Sequence, residues 1–187
     1  MTAMATGYPP SGPYTVADLE LMPDDGQRYE VIDGELFVSP APTTNHQAIV
    51  AALTAQLYQA RRPGLVVFPA PYGVRVSVKT EVQPDVLVAR RDDLTEKFLP
   101  VAPLLAVEVL SPSTAPNDTL RKRDAYQRMG VPSYWIIDPD GPRLIVLALD
   151  DHGQYQLVAD VKDDDAFDAE RPFPIRIVPS QLLEMLV

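Results

Sequence analysis

The chain has no cysteine, which excludes disulfides and cysteine-ligated zinc. It has only two histidines, and neither belongs to an HExxH pair, so a histidine-built zinc site is also disfavoured. No GxxxxGK[ST], no strand-linked GxGxxG and no GxSxG occurs, which removes P-loop, dinucleotide-binding and serine-hydrolase readings. No apolar run approaches the roughly 20 residues of a membrane-spanning helix. The first residues, M-T-A-M-A-T-G-Y, carry neither a basic nor an apolar signal-peptide region. A cytoplasmic protein without membrane partners is expected. Positive charge is scarce too. The formal net charge is −10, which argues against a generic nucleic-acid coat protein. That acidity is local: residues 150–170 hold eight acids and one base, and the remainder is nearly balanced.

What is present is an apolar content of 46% over 187 residues, enough for one core. Residues 1–14 read as a flexible, Pro/Gly-rich tail, and 15–187 as a single domain with an acidic loop at about 160–170. Thr15 starts a short helix. Asp33-Gly34, between Y-E-V-I and E-L-F-V, predicts a hairpin with strands at about 28–32 and 35–39. A long helix follows from Thr43–Asn45 to Arg61. Strand-like runs then occupy 65–70, 72–78 and 82–89, the last with Asp85 near its entry. L-L-A-V-E-V-L (104–110) is apolar on both faces except at Glu108, as in a doubly covered strand. A helix from about 118 to 129 joins it to the strand S-Y-W-I-I-D, and this unit implies parallel pairing. The remainder reads as antiparallel.

Asp85 and Glu108 carry the chemical argument. A carboxylate inside an apolar strand is costly unless paired or neutralised. Two of them on neighbouring strands suit a bridging Mg²⁺, which prefers carboxylate oxygen and often meets phosphate. Lys122, one turn into the next helix, can point back at them, with Tyr126 four residues on along the same face. Asp118 and Lys122 are also spaced as an ordinary surface pair, so the direction of that lysine decides between the two readings. Glu30 adds a third carboxylate among the apolar residues of the first strand. His46 and Gln83 are accessory candidates. Asp163-Asp164-Asp165 lacks calcium-loop spacing and reads as a solvated loop.

Six motifs in order resemble the Uma-two family, small, mostly bacterial proteins placed among the PD-(D/E)XK nucleases. They are Y-E-V-I-D-G-E-L (29–36), S-P-A-P-x-x-x-H (39–46), V-Q-P-D-V-L-V (82–88), V-E-V-L-S-P-S-T (107–114), D-x-x-x-K-x-x-x-Y (118–126) and G-V-x-x-Y-W-I-I-D-P (130–139). The resemblance implies an α/β, restriction-endonuclease-like core: a mixed central β-sheet flanked by helices, with an N-terminal hairpin and a C-terminal antiparallel extension. It implies a Mg²⁺-dependent endonuclease acting on DNA, with Mn²⁺ able to substitute. Asp85, Glu108 and the Val109 carbonyl would be the metal ligands, Lys122 and Glu30 further catalytic groups, and Arg121 and Arg123 phosphate contacts. One departure stands out: Leu110 occupies the place where the superfamily has its lysine, and Lys122 is expected to replace it. A homodimer is expected, because the chain is small for gripping a duplex alone. The alternative is a non-catalytic nucleic-acid- or protein-binding module on the same fold; a hydrolase of another phosphate ester is a third reading.

Overall fold

A computed structural model describes residues 12–111 and 116–186, with side chains over 12–111 and 120–186. The first eleven residues of the expected tail lie outside it. Tyr14, also assigned to that tail, donates its N–H to Gly34 O at 2.7 Å. After a short helix α1 (Val16–Leu19), strands β1 (Arg28–Ile32) and β2 (Glu35–Ser39) form the expected hairpin. Its turn residues Asp33 and Gly34 both have positive φ (52° and 85°), as a type I′ turn requires. Helix α2 (Thr44–Ala60) starts at Thr43, whose hydroxyl accepts the His46 N–H. It turns Ile49, Leu53 and Leu57 inward at helical spacing.

Strands β3 (Leu65–Pro69), β4 (Gly73–Ser77), β5 (Thr80–Val82) and β6 (Val86–Arg90) follow. The strand-like run over 82–89, in which Pro84 suggests a strand start or an edge, is thus divided around that proline. Pro84 has no N–H to give a ladder, and the Gln83 N–H is taken by Glu30 Oε1 at 2.7 Å. The chain leaves one sheet at Val82 and enters another at Val86, and Asp85 stands at the crossing. Strands β7 (Phe98–Leu99) and β8 (Leu105–Val109), helix α3 (Pro116–Met129), and strands β9 (Ser133–Asp138), β10 (Arg143–Leu149) and β11 (Tyr155–Lys162) complete the body. A ribbon of β12 (Phe167–Ala169) and β13 (Ile175–Ile177) precedes a 3₁₀ stretch, Pro179–Leu186. Strand structure therefore takes both ends of the acidic segment, leaving Asp163–Asp165 as its exposed turn.

Strand order is β2-β1-β5-β4-β7 in a five-stranded mixed sheet and β11-β10-β9-β8-β6-β3 in a six-stranded one. The expected central sheet is the second; β8 and β9 pair in parallel through α3, and the other neighbours are antiparallel. Alternation along its strands separates two cores. Val86, Val88, Leu105, Val107, Trp135 and Ile137 face α2 and the 3₁₀ stretch. Leu87, Ala89, Ala106, Tyr134 and Ile136 face α3 and the five-stranded sheet. Period two then places Asp85 and Glu108 on the α3 side. The β6–β8 register pairs Val86 with Val107, so one further step sets Asp85 opposite Glu108.

Candidate active site

The site forms where β1, the β5–β6 crossing, β8, α2 and α3 converge at the end of a cleft of about 700 Å³. Glu30, Asp85, Glu108, His46 and Lys122 are all buried there. Lys122 points inward. Its Nζ lies 2.8 Å from Glu30 Oε2 and 3.1 Å from Glu108 Oε2, so one ammonium bridges two carboxylates. Tyr126, one turn further along α3, donates its hydroxyl to Glu108 Oε1 at 2.6 Å. The side chain of Asp118, the alternative partner of Lys122, lies outside the described residues.

Asp85 is held from three sides. Its Oδ2 accepts the Val109 N–H at 2.8 Å and lies 3.2 Å from His46 Nε2. Its Oδ1 accepts from Arg28 Nη1 at 2.7 Å. Arg28 also reaches Gln83 O at 3.3 Å, and its Nε is 3.7 Å from Glu30 Oε2. Sequence reasoning passed over Arg28, although a signal existed: Arg28 and Glu30 are two apart on β1 and therefore share a face. Tyr134 was passed over too; its ring lies 5.0 Å from that of Tyr126 and it lines the cleft.

The other candidates divide. Gln83 lines the cleft, donates its side-chain amide to Tyr29 O at 3.4 Å and gives its backbone N–H to Glu30. Val109 engages the site through its amide, and its carbonyl stands at the end of β8. Neither Arg121 nor Arg123 lines the cleft, although Phe37, over which Arg121 lies, does. With Lys122 and Tyr126 turned inward at i and i+4, residues on either side of Lys122 are rotated about 100° away. Arg121 pairs with Glu35 and lies over the Phe37 ring; Arg123 Nε is buried without a hydrogen-bond partner.

Burial and charge oppose each other throughout. Burial pushes the Glu108 carboxyl up, to about 7, with Asp85 and Glu30 adding to the rise and Lys122 opposing it. Burial would also raise Asp85, but the His46 hydrogen bond and the Arg28 charge outweigh it and hold Asp85 below the ordinary carboxylate range. Burial acts to lower Lys122, whereas Glu108 and Glu30 carry it above its usual value. Lys122 and Glu108 therefore do not mirror each other: the lysine answers to two carboxylates, and Glu108 to burial plus two like charges.

Three carboxylates face two permanent cations, Arg28 and Lys122. With the His46 imidazole beside Asp85 neutral, one negative charge is left uncompensated, the condition under which such a cluster takes up a proton or a cation. Among the described residues no group of three or more His, Asp or Glu side chains forms a metal cage. Magnesium does not need one: it is commonly bound by one or two carboxylates and keeps its waters. Asp85 and Glu108 fit that pattern by donor chemistry and by excess charge.

A family model, Uma2, described as "Putative restriction endonuclease", matches residues 16–182. The fold is similar to a crystal structure described as "a putative nuclease belonging to DUF820 from Anabaena variabilis ATCC 29413". That match has a TM-score of 0.72 and 20% identity, covering 94% of this chain and 100% of that one. No curated protein matches the chain. With nearly its whole length matched, six strands in the mixed sheet and the motif acids at one cleft, the chain belongs to the Uma2 family.

Proposed function

We propose that the protein is a metal-dependent endonuclease that hydrolyses DNA phosphodiester bonds, using Mg²⁺ or, in its place, Mn²⁺. The observation that carries this reading is the buried Lys122 ammonium between Glu30 and Glu108, beside Asp85. A lysine costs free energy to bury, and here it sits where an attacking water and a developing negative charge would need a donor. Asp85 and Glu108, with the Val109 carbonyl, would hold the metal, which when bound polarises the scissile phosphate and acidifies a water.

The protein's own groups supply the rest. Lys122 donates to the water and offsets charge at the phosphate; Glu30 and Glu108 fix the position of the lysine. Tyr126 orients Glu108, while His46 and the Val109 amide orient Asp85. Arg28, 23% exposed at the cleft, can turn from Asp85 to a phosphate oxygen. The water oxygen attacks phosphorus, one ester P–O bond breaks, and an alcohol and a phosphate monoester leave. A homodimer, read out by light scattering, would present two such sites to a duplex.

Plasmid cleavage tests the reading. Wild type should nick or cut DNA with Mg²⁺ or Mn²⁺, and Asp85→Asn or Glu108→Gln should reduce the rate at least ~100-fold. Equal cleavage by wild type and both variants would remove the proposal. The competing reading, a non-catalytic binding module, draws on one observation: every Asp85 and Glu108 oxygen already has a partner within the chain.

A further inference from the structure

The 26 acidic residues are unevenly placed, and the longest gap lies beside the site. Residues 36–80 contain no Asp or Glu, while they hold Arg61, Arg62, Arg75 and Lys79. This stretch includes all of α2 and β3. Helix α2 begins at the catalytic cleft, where His46 meets Asp85. From there a shallow groove follows its outer face past Gln47, Ala51, Ala55 and Tyr58, and it shares Gln47, Val50 and Ala70 with the cleft.

The groove ends in arginines. Arg61 lies 3.5 Å over the Tyr58 ring. Arg62 is exposed on the turn that follows, and the Arg91 N–H donates to Gly64 O at 2.9 Å in the same turn. Arg90 pairs with Leu65 across β3 and β6, and both Arg90 and Arg91 are exposed. Asp92, also exposed, is the nearest acid in sequence on that side.

We infer that the outer face of α2 and the arginines beyond it form the track on which duplex DNA lies, with its phosphate backbone running from the cleft along α2 to Arg62, Arg90 and Arg91. The inference rests on the nuclease reading for the identity of the polyanion. Charge complementarity selects the occupant: α2 and the turn after it carry Arg61 and Arg62 and no acid, and Arg90 and Arg91 adjoin that turn, in a protein of net charge −10. Small side chains at Ala51 and Ala55 admit close backbone approach, and Gln47, Tyr58 and Gln59 supply donors suited to phosphate oxygens. Helix α2, 17 residues long, spans roughly 25 Å, about seven base pairs of duplex.

The test is fluorescence anisotropy with a labelled 20-base-pair duplex and Ca²⁺ in place of Mg²⁺, read across a salt series. The variants are the triple Arg62→Ala/Arg90→Ala/Arg91→Ala and, independently, Ala55→Glu, which sets one acid in the groove. The triple variant should bind about tenfold or more weakly, with a log K against log salt slope shallower by about 0.9 per arginine. Ala55→Glu should bind more weakly too, and both should hydrolyse bis(4-nitrophenyl) phosphate at the wild-type rate. Wild-type affinity and slope in the triple variant would overturn the track, as would undiminished binding by Ala55→Glu. So would tighter wild-type binding of the single strand than of the duplex. Loss of duplex binding in both variants, with no hydrolysis by any form, would keep the track and remove the nuclease reading.

Discussion

Arg143 bonds both oxygens of Asp160 at 2.6 Å, and Lys122 reaches both oxygens of Glu108 at 3.1–3.2 Å. By distance the first pair is the closer. By surroundings the order reverses. Arg143 on β10 reaches diagonally to Asp160 on β11, the register partner of Ile145, in contact with water, so solvent screens the pair and it contributes little to stability. Lys122, Glu108, Glu30 and Asp85 are buried, where each ion has given up its hydration and depends on its neighbours. A pair kept on the surface explains itself by solubility. A cluster of three buried acids with Lys122 and Arg28 needs another reason, and the proposed metal and phosphate would supply one.

Lys122→Met should break this contrast most strongly. It leaves Glu30 and Glu108 buried without their shared cation, and a loss of about 3–5 kcal/mol in urea unfolding is expected. Adding Glu108→Gln should restore part of that loss, because it removes one of the stranded charges; a double variant no more stable than the single would argue against coupling. Arg28→Met is next. Asp85 Oδ2 already takes two contacts, so Oδ1, where Arg28 sits, is the oxygen left for a metal. The variant should bind Mn²⁺ about tenfold more tightly by calorimetry, and unchanged or weaker binding would show that Arg28 and the metal do not compete.

Tyr126→Phe removes one charged-acceptor hydrogen bond and should cost about 1.5 kcal/mol in the same unfolding assay. The smallest effect is expected on the other side of the comparison. Arg143→Ala or Asp160→Asn should leave the melting temperature and the duplex affinity at their wild-type values. A marked shift in either would mean that exposure does not separate the two sets of charges.

Much of this was legible in the sequence, for reasons that differ by element. The Asp33-Gly34 hairpin was readable because its turn depends on two local residues with positive φ. Glu108 was readable because a carboxylate flanked by Val107 and Val109 in a buried strand has few bland explanations. The Lys122 position was visible but its direction was not, since Asp118 offered an equally good local partner. Pro84 marked a strand start, but the passage from one sheet to another at Gln83-Pro84-Asp85 escaped because the group that claims the Gln83 amide, Glu30, is 53 residues away. Arg28 escaped for the same reason: its partner Asp85 is 57 residues distant, and only its shared face with Glu30 hinted at it. Arg121 and Arg123 flank Lys122 in sequence, but helical rotation gives three consecutive residues three different directions, so only Lys122 is turned to the carboxylates.

The central claim is that the buried acids are a metal site. Electron paramagnetic resonance of Mn²⁺ titrated into the purified protein tests it most directly, because bound Mn²⁺ loses the signal of the free ion whether or not DNA is cut. Wild type should take up Mn²⁺ saturably, and Asp85→Asn and Glu108→Gln, each shown folded by circular dichroism, should lose that uptake. No uptake by wild type, or the same uptake by all three, would contradict the account.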